Sequence, residues 1–405
     1  MDKQRKILVV SFQSLTATSG QGMARLGYAL SKELHKRGLL KAFIVHSKGK
    51  FDTPFPSEPV SVFSRYYLFA LNKINSFFKF QTHGFRFIQE RLFDWFCSMK
   101  LDNSVGVLFA TQPHLKRTFK KAKQLGIKTV LLSGTPEDNY MFKLVSDENK
   151  IIGTTEIDAY TYKPRTDYFN DAMKYLDVAI GFFPTVYDTF KASPSFKGTT
   201  VRMTGHMTPD FSYYDTRNKK KAGGKFIVGF LSYTVVLKGL HYLLEAWQNI
   251  LAKHDIQDIE LIVGGPMNPV MDSYVKKHFS NLKQVTYAGH VKNISDFMQK
   301  LDLFVVPSIL EGGPMSALEA AHYAVPVLIT RNAGSYELIE RGEGGGYVVP
   351  IRDAKAIEDN IIWAYNNKEQ NAKKGLVAKQ NLANYSFNTF IEELAHFLQS
   401  ELNGK

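Results

Sequence analysis

The chain has 405 residues, 44% of them hydrophobic and 22% charged, with a formal net charge of +13 and one cysteine. That length exceeds one ordinary core and fits two domains of roughly 150 to 200 residues with a cleft between them. The lone Cys97 excludes an intramolecular disulfide and argues against a Cys-based zinc site, so a reducing cytoplasm is the expected compartment. No stretch reaches the about 18 uncharged apolar residues needed to cross a bilayer. The start does not read as a secretion signal, since Asp2, Lys3, Arg5 and Lys6 run straight into a short apolar run. The positive charge favours an anionic partner, whether nucleic acid, lipid or a diphosphate-bearing substrate. With no zinc-finger, RRM-like or helix-turn-helix signature, nucleic acid is not expected.

In chain order, the apolar run at 7–12 predicts the first strand. A Gly/Ser/Thr loop follows, then a helix with Met23, Leu26, Leu30 and Leu34 at helical spacing, closed by His35, Lys36, Arg37 and Gly38. A second strand begins at 43–45, and others are expected at 105–110, 129–132 and 178–182. The segment 63–100 interleaves twelve aromatics, among them Tyr66, Phe69, Phe77 and Trp95, with Arg65, Lys73, Lys79, Arg86 and Arg91. It reads as a pair of amphipathic helices, either on the inner, anionic membrane surface or covering the N-terminal sheet. Residues 133–165 read as a long loop, and loops of that length in a compact domain tend to be functional. Pro209, the charge run 217–221 and Gly223-Gly224 interrupt periodicity and mark a linker. Beyond it the scheme repeats, with strands at 226–230, 260–263, 285–288, 303–306 and 325–329. The fold class is therefore α/β, with two doubly wound domains over 1–204 and 205–385. Residues 386–405 form a last helix whose Phe390, Leu394 and Phe397 could pack on either domain.

The segment 307–320 carries most of the chemistry. A strand ends at Val306, a glycine loop follows, and Pro314 sits where a first helical position tolerates a missing N–H. Such a helix start offers free N–H groups and partial positive charge to an anion, and Gly312 and Gly313 let backbone approach a ligand closely. Glu311 before the helix and Glu319 within it can reach different parts of one elongated ligand. Taken singly they would be an acid favouring a helix start and an exposed helical carboxylate. Farther back, Lys238 occupies a strand-to-helix junction, placed to neutralise charge on a leaving diphosphate. Gly20 and Gly22 lie in the first loop. A dinucleotide fingerprint would want a third glycine at Arg25 and an acid where His46 and Ser47 stand, so nicotinamide is disfavoured.

Glu311 to Glu319, with Pro307-Ser308 before it and 324–327 (Ala-Val-Pro-Val) after it, resembles the Glu-x7-Glu motif of family-4 retaining glycosyltransferases. The resemblance covers essentially the C-terminal half and, more loosely, the N-terminal domain. It implies a GT-B fold, two Rossmann-like domains facing a cleft. By the same resemblance Glu311, Gly312 and Gly313 would meet the donor sugar, Pro314, Met315 and Ser316 the diphosphate, and Glu319 the ribose. Lys238 and Ser232 would join them, with Gly20 and Gly22 approaching from across the cleft. The family's arginine before this lysine is replaced here by the run Phe230, Leu231, Ser232, Tyr233, so Arg331 or Arg25 would have to substitute. The family's N-terminal-domain histidine has two candidate places, 111–114, which holds His114, and 133–136, which holds none. Glu137 and Asp138 would belong to the acceptor site. The implied activity is hexosyl transfer with retention, from a nucleoside-diphosphate sugar to a glycan or lipid-linked acceptor of a cell-surface polysaccharide. No cofactor is expected, and without an Asp-x-Asp pair no metal either. The alternative is a catalytically impaired subunit that supports an active transferase.

Overall fold

A computed structural model describes residues 5–15, 22–48, 52–61, 63–78, 81–203, 208–209, 211–215 and 224–404. The N-terminal sheet has seven strands in the order β3-β2-β1-β4-β5-β6-β7. They are β1 (Lys6–Leu15), β2 (Leu40–Lys48), β3 (Ser57–Pro59), β4 (Val105–Ala110), β5 (Lys128–Leu132), β6 (Val178–Gly181) and β7 (Thr199–Arg202). Its helices are α1 (Met23–Lys36), α2 (Ser64–Phe78), α3 (Thr82–Met99), α4 (Lys116–Gln124), α5 (Asp138–Ile151), α6 (Lys163–Met173) and α7 (Pro184–Lys191). The second sheet runs β10-β9-β8-β11-β12-β13. Its strands are β8 (Phe226–Leu231), β9 (Ile259–Gly264), β10 (Val285–Gly289), β11 (Leu303–Val306), β12 (Val327–Thr330) and β13 (Gly346–Val349). Helices α8 (Leu240–Lys253), α9 (Pro269–Phe279), α10 (Ile294–Met298), α11 (Met315–His322), α12 (Tyr336–Glu340), α13 (Ala354–Asn366), α14 (Lys368–Ala383) and α15 (Phe387–Leu402) complete the chain.

Every strand pairing is parallel. Parallel strands joined by helical crossovers are covered on both faces, which is why Ile7, Leu8, Val9 and Val10 are all buried in succession. In each sheet the order reverses beside the first strand, at β1/β4 and β8/β11. Loops leaving the carboxyl ends of strands at such a point diverge and open a crevice. The loops after β8 and β11, which bear Lys238 and Glu311, are those of the second crevice.

Three short edge strands, β3, β7 and β13, were not expected from the sequence. The largest departure is at 133–165, read as a loop: it contains α5 and the start of α6. Glu137 caps α5 by accepting from the Tyr140 N–H at 2.9 Å. The pair of helices at 63–100 divides its roles. Helix α3 buries Phe93 and Cys97 in the N-terminal core and Phe87 against Tyr162 and Tyr168, whereas α2 leaves most of its aromatics exposed. Both domains also receive a helix from the other half of the chain. Phe390, Leu394 and Leu398 of α15 lie in the N-terminal core, and Met141, Val145 and Ile152 at α5 lie in the core formed by Val236, Leu237 and Leu240. Gly205 and Gly223, at the expected boundary, lie outside the described residues.

Candidate active site

The two crevice loops of the C-terminal domain are clamped together by backbone. Gly239 has φ +66°, and a Cβ there would sit 2.0 Å from the Pro307 carbonyl oxygen. The Ile309 N–H donates to the Leu237 carbonyl at 2.9 Å. This contact sets Lys238 beside Glu311: the ammonium donates to Oε1 at 2.6 Å, and Ser308 Oγ donates to Oε2 at 3.0 Å. Both side chains of the pair keep 21% exposure, so a ligand can reach either charge.

The glycine loop that follows does something unforeseen. Close approach at Gly312 and Gly313 is to the other domain: a Cβ on Gly312 would lie 2.3 Å from the Gly134 carbonyl oxygen, and one on Gly313 1.8 Å from the Phe183 ring. Thr185 Oγ1 reaches the carbonyls of Glu311 and Gly312 at 2.9 and 3.0 Å. The loop is thus the seam between domains as well as the approach to α11. Pro314, read from sequence as the first helical position, is instead the N-cap with extended ψ 112°, and α11 starts one place later at Met315. Ser316 stands on its first turn, half-buried.

Glu319, one turn farther along α11, turns toward the linker. Its Oε1 accepts from the Tyr214 hydroxyl at 2.6 Å. Burial raises the Glu319 carboxyl above its ordinary range, although the Tyr214 bond works against that. A cavity of about 290 Å³ opens there, lined by Gly22, Arg25, Thr208, Pro209, Tyr214, Ile294, Met315 and Glu319. Both domains and the linker contribute to it. Arg25 Nη1 donates to the Thr208 carbonyl at 2.9 Å, and its guanidinium stacks 3.9 Å above the Phe387 ring of α15.

Other residues singled out from sequence stand elsewhere. Gly20 lies outside the described residues. Ser232 Oγ turns to the neighbouring Tyr233 carbonyl at 3.2 Å. Arg331 is exposed and gripped by Glu340 at 2.6 and 3.2 Å. Glu137 is consumed as the α5 cap, with further bonds from Asn139 and from Ser193 Oγ at 2.8 Å. His114 is 1% exposed and shares a hydrogen bond of 2.7 Å with Asp138. Arg165 bridges Asp138 at 3.4 Å and Glu90 at 2.9 Å, and Arg86 also holds Glu90 at 2.9 Å. Burial would raise the Glu90 carboxyl, but His114, Arg165 and Arg86 outweigh it and hold it down at about 2. Between this network and the crevice lies Tyr160, whose phenol burial pushes up, opposed by Lys238 and Arg165.

The sequence reading missed Tyr160, Thr208, Pro209 as a wall, Tyr214 and Ile294. Only Tyr214 carried a signal, an aromatic within a polar linker.

Residues 225–367 match the family model described as "Glycosyl transferases group 1". The capsular polysaccharide biosynthesis glycosyltransferase CapM of Staphylococcus aureus is 26% identical over 189 residues, 46% of this chain and 49% of CapM. The O-antigen biosynthesis glycosyltransferase WbnH of Escherichia coli is 34% identical over 130 residues, 32% of this chain and 36% of WbnH. The chain thus spans half or less of the curated relatives it matches. Among solved structures, Anabaena HepE in complex with UDP superposes with a TM-score of 0.64 at 15% identity, covering 98% of this chain and 100% of HepE. WaaG, a glycosyltransferase involved in lipopolysaccharide biosynthesis, gives 0.63 at 13% identity over 96% of this chain and 99% of its own. At such identities the likeness is one of fold. Residues 225–367 are thus similar to the group 1 glycosyl transferases, and the two domains together have the GT-B fold.

Proposed function

We propose that the chain is a retaining, metal-independent hexosyltransferase that carries a sugar from a nucleoside-diphosphate donor to a glycan or lipid-linked acceptor in cell-surface polysaccharide synthesis, working in the cytoplasm at the inner membrane face. The observation that carries this reading is the half-exposed Lys238–Glu311 pair at the mouth of α11, next to an interdomain cavity walled by Glu319. An incoming diphosphate competes with Glu311 for the Lys238 ammonium. Once Lys238 turns to phosphate oxygen, Glu311 Oε1 is released to accept from a sugar hydroxyl. The free N–H groups at the α11 start add to the stabilisation of the departing nucleoside diphosphate. The acceptor hydroxyl then attacks from the side the phosphate leaves, and a phosphate oxygen takes its proton.

The match of residues 225–367 to the group 1 model and the capsular and O-antigen roles of CapM and WbnH support the polysaccharide assignment. HepE's complexes with UDP and UDP-glucose make uridine diphosphate the first nucleotide to try. The test is a thermal-shift series with UDP, GDP, ADP and their sugars, alongside Glu319→Ala. Ligand at ~100 Kd adds roughly 2.7 kcal/mol to a protein that binds only when folded. A shift from one nucleotide, lost in the variant, together with turnover in the presence of EDTA and a product of retained anomeric configuration, sustains the proposal. Nucleotide binding with no transfer to any acceptor would instead make the chain a supporting subunit. A trapped covalent glycosyl-enzyme would sink the same-side attack.

A further inference from the structure

Helix α2 is amphipathic in the reverse sense of a helix that covers a core. Its inward row is Tyr67, Leu71 and Asn75, each only half-buried. Two of these three bring polar atoms into the interior without a partner: Tyr67 Oη and Asn75 Oδ1 find no hydrogen bond. The same holds for Nε2 of His46 on β2, whose ring lies 6.0 Å from that of Tyr67. On the solvent side stand Phe63 at 66% exposure, Tyr66 at 74%, Phe69 at 70%, Ile74 at 45% and Phe77 at 81%. At 100° per residue these positions, with Lys73, share one face of the helix.

Water is a poor neighbour for such a face, and contiguous apolar patches of this kind mark surfaces that meet something else. Charge decides what. Residues 63–100 hold six basic side chains, Arg65, Lys73, Lys79, Arg86, Arg91 and Lys100, and two acids, Glu90 and Asp94. Both acids are buried, at 1% and 0% exposure, and are bonded to groups inside the domain. Among the described side chains of this segment, the charged ones left exposed are Lys73, Arg86 and Arg91, all of them basic. Aromatic and basic side chains on one helix face suit an anionic bilayer, where rings enter the headgroup boundary and lysine meets lipid phosphate. With 15 residues α2 is too short to span, and no helix among the described residues is long and apolar enough to cross a membrane.

We propose that the outward face of α2, centred on Tyr66, Phe69, Lys73 and Phe77, is the docking surface of this chain for an anionic lipid bilayer, with the helix lying flat in the interface. Docking is a property of the surface alone and stands whether or not the cleft transfers sugar. The test is flotation of the full chain with vesicles of phosphatidylcholine, with and without phosphatidylglycerol. The chain should float with the phosphatidylglycerol vesicles and release as salt rises. Phe69→Glu with Phe77→Glu should leave the protein in the aqueous fraction, and Lys73→Glu should lower partitioning about tenfold. All should melt near the wild-type temperature, since Phe69, Lys73 and Phe77 are exposed, and Phe77→Ala gives a graded loss if the double variant folds poorly. Wild-type protein that stays in solution, or variants that float as well as wild type, overturn the proposal. So does a wild-type dimer that ignores vesicles and that the double variant splits into monomers, since the face would then join two copies.

Discussion

Two clusters of charge in this molecule, one in each domain, behave oppositely because of how much water each one keeps. In the N-terminal domain His114, Asp138, Arg165 and Glu90 are nearly or wholly enclosed, and almost every polar atom has a partner within the protein. In the C-terminal domain Lys238 and Glu311 form one short bond and remain reachable from solvent. A buried network resists change, since removing one member strands a charge in a low-dielectric interior. A half-exposed pair can trade its partner for a ligand at little cost. A titratable cluster is therefore not a catalytic site by composition alone, and the residue beside it that can still exchange partners is the better candidate.

Arg165→Met is the harshest way to test that contrast. It leaves Glu90 and Asp138 enclosed without their guanidinium and should cost about 3–5 kcal/mol in a denaturant titration. A loss below about 1 kcal/mol would mean that the network is not the rigid element described. Lys238→Met should do the reverse, leaving stability within about 1 kcal/mol while lowering the proposed transfer rate 10²- to 10³-fold, on the order of losing one donor to a developing anion.

A smaller effect separates the domains by pH. Burial, helped by Arg86, lowers the His46 imidazole from 6.5 to about 4. The unfolded chain then takes up this proton first, so the contribution of neutral His46 is intact above about pH 6.5 and is lost as pH falls toward 4. The loss reaches about 3 kcal/mol at the acid end, and His46→Phe should flatten the wild-type slope over that window. An unchanged slope would relocate the acid sensitivity to other groups. Least of all, Tyr214→Phe should tighten nucleotide binding by about fivefold, read by calorimetry, because the ribose no longer displaces a hydroxyl worth about 1 kcal/mol to Glu319. Weaker binding would instead make Tyr214 a ligand contact.

The parallel strands were legible because each buries both faces and reads as a run of apolar residues, as at Val105–Ala110 and Leu303–Val306. The edge strands Ser57–Pro59 and Thr199–Arg202 have no such run, being short and partly wet. Helix α5 was hidden for a different reason. Its inward row of Met141, Val145, Glu148 and Ile152 includes an acid, which breaks the apolar pattern. Glu148 is fully buried there because His241, Tyr242 and Arg352 of the C-terminal domain bind it at 2.8, 2.8 and 2.7 Å. At the candidate site, Lys238, Glu311 and Glu319 were readable from loop chemistry. The hydroxyl that now occupies Glu319 was not, since Tyr214, 105 residues away in the chain, reaches it only through the fold.

The exchange of helices means that the chain has no point at which scissors could leave two intact proteins. A fragment ending near residue 204 would lack α15 over its own core and present the bare α5 row to water. The complementary fragment would be missing the wedge that α5 drives against α8. Expressed apart, each piece should be sticky and poorly soluble. Made together in one cell, they have the matching surfaces to find each other, and recovery of a soluble pair would show that mutual completion, rather than the peptide linker, joins the halves.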